Sequence, residues 1–309
     1  MATMSDATTS AAKASSSSQR SQQPDIPTNP SSPISRNNTS VCNCDECQPW
    51  LYVDRDDIHI CAKYGLNGNP NDELIPGAHE PLDLARRTIA IFDEPIARIS
   101  REQEIAVWTW MGWRQSPYAA MLDVGDLSHV PVEELRIPFG IFNRFFFRGA
   151  IRGANFCWGE LGENGKHGYL TSETAATCSV SDDLTHAYFT FSPRRPAPKP
   201  GRRYVDGLLS DLLHEMTHAF IDQYACVGDR CQRPLCKSLA RANRGITGHG
   251  RAWYRIAEAV SHVAADIFHF RADLGIKSAI RREASTPGGV DPSKHEPMVC
   301  DAVQCLRSA

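Results

Sequence analysis

The stretch Leu212-Leu213-His214-Glu215-Met216-Thr217-His218-Ala219-Phe220 lies within the most regular helical pattern of the chain. Val205, Leu208, Leu209, Leu212, Leu213, Met216 and Phe220 recur at i, i+3, i+4 and i+7 spacing, which predicts an amphipathic helix with one buried stripe. His214 and His218 are four residues apart, so both imidazoles leave the same helix face about one turn apart. Two nitrogens so placed can reach one zinc ion at about 2.0–2.1 Å. Glu215 projects beside the pair without being a ligand, and can accept a proton from water activated by the metal. Two solvated or core histidines would give the same spacing. The position inside a strong apolar stripe, after strand-like segments, favours metal binding.

Outward from this helix the pattern is that of an α+β domain with a small β-sheet packed on helices. Upstream, Phe139 to Phe147 reads as a buried helix or a helix-to-strand entry. Asn155 to Gly159 and Gly168 to Thr171 are short strand candidates, and Ala187 to Ser192 is the best strand in the chain. Pro193 to Pro200 holds four prolines and is a loop. Downstream, residues 225–248 form an excursion. A second helix is predicted from about Gly250 to Phe270, with Trp253, Ile256, Ala257, Val260, Val263 and Ala264 inward.

A catalytic zinc usually takes three protein ligands and keeps one position open. A third histidine six residues after the second, with a glycine between, would be the metzincin pattern. Tyr224 and Ile221 occupy those two positions, so that pattern fails. A more distant carboxylate, Glu258 or Asp266, is one candidate for third ligand. His249, between Gly248 and Gly250 at the start of the second helix, is another, because flanking glycines permit close backbone approach and a sharp helix entry.

His-Glu-Met-Thr-His-Ala-Phe at 214–220, followed about thirty residues later by Gly248-His249-Gly250 and Trp253, resembles the SprT-like (Spartan-related) zinc metallopeptidase domain. Phe142-Asn143 with Phe146, Trp158-Gly159 and Phe189-Thr190-Phe191-Ser192-Pro193 follow in the family's order, so the resemblance covers roughly residues 130–270. It implies a zincin-like minidomain, with His214, His218 and His249 on Zn2+ and Glu215 as general base. It further implies hydrolysis of peptide bonds in protein substrates, among them proteins bound or crosslinked to DNA. The zinc ribbon that many such domains carry has no counterpart, since only Cys300 and Cys305 lie in the tail. The rival expectation is a zinc-containing, DNA-associated scaffold without proteolysis.

Composition sets the frame. Residues 1–40 are rich in Ser, Thr, Asn, Pro and Gln and read as a disordered tail. Residues 41–129 form an acidic, Cys-containing and partly helical region, 130–272 the SprT-like domain, and 273–309 a largely flexible extension. Residues 41–134 carry 17 acids against 7 Lys/Arg, and residues 135–309 carry 17 acids against 23. The second half is thus mildly basic, and Arg194, Arg195, Lys199, Arg202 and Arg203 offer a loop, 194–203, for contact with DNA phosphates. No apolar run of membrane-spanning length and no secretory leader is seen, which points to a nuclear or cytoplasmic protein. Nothing in the sequence sets an oligomeric state. The eleven cysteines read as reduced thiols or metal ligands. Cys42, Cys44 and Cys47 (with His59 and Cys61), and Cys226, Cys231 and Cys236, are either plain thiols or further metal knuckles.

Overall fold

A computed structural model of the chain describes residues 74–92, 99–159, 175–226, 243–289 and 291–293. The serine-rich tail, the strand candidate at Gly168 to Thr171 and both cysteine clusters except Cys226 fall outside these residues. Cys226 itself is buried and free of any disulfide.

Seven helices and three strands follow in chain order among the described residues. They are α1 (Pro81–Phe92), α2 (Arg101–Arg114), α3 (Pro117–Met121), a 3-10 turn (Val132–Leu135) leading into α4 (Arg136–Phe147), β1 (Ala154–Trp158), β2 (Ala176–Val180), β3 (Ala187–Phe191), α5 (Tyr204–Tyr224), α6 (Arg251–Ile267) and α7 (Ile276–Ser285). The architecture is therefore mixed: helices around a three-stranded sheet in the order β1-β3-β2. β1 runs parallel to β3, with Phe156 opposite Phe189, and β2 runs antiparallel to it, with Cys178 opposite Phe189.

The predicted helix over the His-Glu-x-x-His segment is α5, and its stripe is the centre of the core. Val205, Leu208, Leu209, Leu212, Leu213 and Met216 are fully buried. The N-terminus of α5 is held from outside its own sequence. Asp123 accepts from the Val205 backbone amide at 3.2 Å and from Arg203 Nε at 2.6 Å. Its C-terminus clamps the entry to β1, where the Gln223 amide bonds both backbone groups of Arg152 at 3.2 and 3.0 Å and the Tyr224 hydroxyl donates to Ala150 O at 2.6 Å. One flank of α5 faces β2 and another faces α6.

Phe139 to Phe147 settles as helix α4, and all five of its aromatic side chains are buried. It ends at Arg148, whose φ of 51° is left-handed, and the Asn143 side-chain amide bonds Ile151 O at 2.9 Å and Ile151 N at 3.1 Å, holding the chain that leads into β1. The described part of the acidic N-terminal region, residues 74–92 and 99–129, packs into the same core through α1 to α3. Trp110 of α2 packs against Phe142, Phe268 and Phe270 with ring centroids 5.3–5.5 Å away and donates its indole N–H to Phe268 O at 3.0 Å. Buried Gln103 bonds Ile91 O and Phe145 O, tying α2 to the end of α1 and to α4. The dense apolar content of α2 blurs its stripe because Ile105, Trp108 and Met111 stay exposed while Ala106, Trp110 and Trp113 go inward.

Two elements depart from the sequence expectation. β2 is a strand where none was foreseen: Ala-Thr-Cys-Ser-Val is short and half polar, as befits an edge strand. Residues 276–285, expected to be flexible, form α7, which buries Ala279 and Glu283. Among the described residues no helix is long and apolar enough to cross a membrane.

Candidate metal centre

Helix α5 delivers His214 and His218 to one face, and the entry to α6 delivers His249 opposite them. The three Nε2 atoms form a nearly equilateral triangle, with separations of 3.2 Å (214 to 218), 3.1 Å (218 to 249) and 3.2 Å (249 to 214). Two nitrogens that share a tetrahedral ion at 2.0–2.1 Å lie about 3.3–3.4 Å apart. The triad therefore fits one small divalent cation, and among the described residues it is the one cluster of His, Cys, Asp or Glu with such a fit.

The rings are fixed from behind. The His214 Nδ1 lies 2.7 Å from Leu274 O, which can only accept, so the hydrogen sits on Nδ1 and the Nε2 lone pair faces the triad. The His249 Nδ1 lies 2.8 Å from the Thr247 hydroxyl. Gly248 has φ +81°, a conformation favoured by glycine, and a Cβ there would sit 3.1 Å from the His218 ring. Trp253, fully buried one turn into α6, forms the floor, with its ring centroid 4.7, 5.5 and 4.7 Å from those of His214, His218 and His249.

Burial keeps the imidazoles neutral and ready to ligate. It lowers the pKa of His214, takes His218 well below its ordinary value and brings His249 down to about 3, with the Arg282 cation adding to each effect. Glu215 sits next to the triad, its Oε1 3.9 Å from His214 Nε2. Burial, with Asp211 and Asp222 nearby, pushes its carboxyl up to about 8, and the Cys178 backbone N–H offsets this in part. A cation on the three imidazoles acts in the opposite direction and favours the carboxylate.

The triad and Glu215 open into a cleft of about 930 Å³. Residues 175–178 of the β2 edge form one wall, the 244–249 loop another, and Leu274 with α7 a third. Among the described residues β2 pairs only with β3 and lies at the edge of the sheet, next to the cleft.

No known protein family, curated protein or solved structure matches the chain.

Of the sequence candidates, His214, Glu215, His218 and His249 come together. Glu258 and Asp266 do not: both are exposed on α6, and Glu258 accepts from Tyr254 Oη at 3.1 Å. Tyr224, at the rejected third-ligand position, is buried against the start of β1. The basic loop is partly neutralised within the fold. Arg195 pairs with Asp211, Lys199 and Arg202 pair with Asp273, and Arg203 pairs with Asp123. Sequence reasoning missed Thr247, Leu274 and Glu283 behind the ligands. Leu274 acts through its backbone and Glu283 lies 34 residues beyond His249, so neither carries a local signal.

Proposed function

We propose that this chain is a zinc-dependent endopeptidase built on a SprT-like minidomain, with His214, His218 and His249 holding the ion. The observation that carries this reading is the 3.1–3.2 Å triangle of Nε2 atoms with the Glu215 carboxyl beside it. When bound, a divalent ion of this kind supplies Lewis acidity, polarising a carbonyl and making water nucleophilic near neutral pH. Glu215 takes the proton of the attacking water and delivers it to the leaving amine. The wall of the cleft favours a polypeptide over a small amide. Ala176 and Thr177 of the β2 edge line the cleft, which offers an extended chain a place to lie as an added strand.

A link to DNA-bound protein substrates rests on the sequence resemblance. The loop at 194–203 contributes a reduced charge to it, because three acids of the fold, Asp123, Asp211 and Asp273, pair with four of its five cations.

The test is an incubation of wild type and Glu215→Gln with a DNA-binding protein, with and without single-stranded DNA, alongside a zinc assay. One zinc per chain in both proteins and cleavage by wild type alone are expected. One zinc and no cleavage under any condition would transfer the site to the scaffold reading.

A further inference from the structure

Glu283 is a carboxylic residue of α7 at 1% exposure, outside every motif of the sequence. A buried carboxyl must find hydrogen bonds or be expelled, and the partners of this one lie in the loop that carries His249. Its Oε1 accepts from the Ile246 backbone N–H at 2.6 Å. Its Oε2 accepts from the Thr247 backbone N–H at 2.9 Å and from the Thr247 hydroxyl at 2.6 Å. The loop is shaped for this approach: Gly245 has φ +84°, and a Cβ there would meet Glu283 Oε2 at 2.8 Å.

The donor inventory gives these contacts a direction. A threonine hydroxyl has one hydrogen, and Thr247 gives it to Glu283. Toward His249 Nδ1, 2.8 Å away, the hydroxyl can then only accept. His249 must carry its hydrogen on Nδ1, which leaves the Nε2 lone pair in the triad. His214 is set the same way by Leu274 O. Two lone pairs consequently face each other across 3.2 Å, an arrangement that repels in the absence of a cation and is ideal for one.

We propose that Glu283, acting through the Thr247 hydroxyl, is the positioning residue that fixes the tautomer and ring of His249, making α7 an integral part of the metal site. This rests on the metal reading of the triad. The closest general parallel is the carboxylate behind a metal-bound histidine, where loss of the partner typically costs about 10–100-fold in metal affinity. Here a hydroxyl is interposed between carboxylate and ring.

The experiment uses the full chain and three variants, Glu283→Gln, Thr247→Val and Thr247→Ser. Zn2+ affinity is read by chelator competition, and the imidazole tautomers of the metal-free proteins by nitrogen-15 NMR. Thr247→Val removes the hydroxyl and leaves both backbone N–H groups free to bond Glu283, so it separates tautomer control from loop support. Thr247→Val and Glu283→Gln are expected to lose about 10–100-fold in Zn2+ affinity, and His249 to lose its pure Nδ1–H signature. Thr247→Ser should match wild type in both readouts. Wild-type affinity and tautomer in Thr247→Val, whatever Glu283→Gln does, would overturn the proposal and reduce Glu283 to a loop anchor. Should Glu283→Gln fail to fold, the Thr247 pair decides alone. Should wild type bind no Zn2+, the metal reading fails, and the metal-free tautomer comparison still tests the relay.

Discussion

Replacing Glu215 by Gln is expected to stabilise the metal-free protein while removing the proposed peptidase activity. In the fold the Glu215 carboxyl is raised from 4.5 to about 8, chiefly by burial. A carboxyl raised in this way contributes fully below its unfolded pKa, and that contribution is lost as pH rises toward the folded pKa. Below about pH 4.5 both states are protonated. Between 4.5 and 8 the unfolded chain gains by ionising and the folded protein cannot, at 1.36 kcal/mol per pH unit. By pH 7.5 the penalty is on the order of 2–4 kcal/mol, and a neutral carboxamide escapes it. At 2–4 °C per kcal/mol for a domain of this size, Glu215→Gln should raise Tm by about 5–10 °C at pH 7.5 in excess chelator. It should change Tm little at pH 4.5. Saturating Zn2+ should narrow the gap, because the cation favours the carboxylate of the wild type. An equal Tm at both pH values, or the same increment at pH 4.5 as at 7.5, would refute the reasoning. The gap would then reflect packing of the amide and not a buried charge.

Further outcomes are expected for substitutions at the glycines, the histidines and Trp110. Gly248→Ala, at φ +81° with His218 3.1 Å from the added Cβ, should cost about 1–2 kcal/mol and weaken Zn2+ binding, both read by thermal unfolding and chelator competition. Gly149→Ala, at φ +74° with nothing within 4 Å, should show the strain and keep the affinity. In the Glu215→Gln background the metal-free protein should lose stability as pH falls below about 6.5, because His214, His218 and His249 are held below their unfolded pKa and the unfolded chain takes up the protons. Adding His249→Ala should reduce that slope by about 1.4 kcal/mol per pH unit, read from denaturant titrations between pH 4.5 and 6.5. Trp110→Ala removes the ring at the junction of α2, α4 and the segment after α6 and leaves Phe268 O without its donor. It should cost about 3–5 kcal/mol in urea unfolding.

The local pattern was sufficient for whatever depends on residues three or four apart. The apolar stripe from Val205 to Phe220 defined α5, and the His214–His218 spacing placed two ligands and the Glu215 carboxyl on a rigid element, because a helix fixes those directions whatever surrounds it. Ala187 to Phe191 read as a strand for the same kind of reason, being an alternating run whose register is set by its own side chains. Spacing could not choose among His249, Glu258 and Asp266. Only the path of the 243–250 loop brings His249 within 3.2 Å of the others while α6 turns both carboxylates to solvent. β2 escaped notice because an edge strand needs few apolar residues. The helix α7 escaped because its burial depends on one carboxylate meeting two backbone amides and a hydroxyl 36 to 37 residues upstream. The loop at 194–203 looked basic because its acids, Asp123, Asp211 and Asp273, come from other parts of the chain. The sequence alone determined the helix and half of the candidate metal site. The third ligand, the groups that orient it and the charge left on the surface were decided by tertiary structure, since each depends on a partner that only packing brings within hydrogen-bond range.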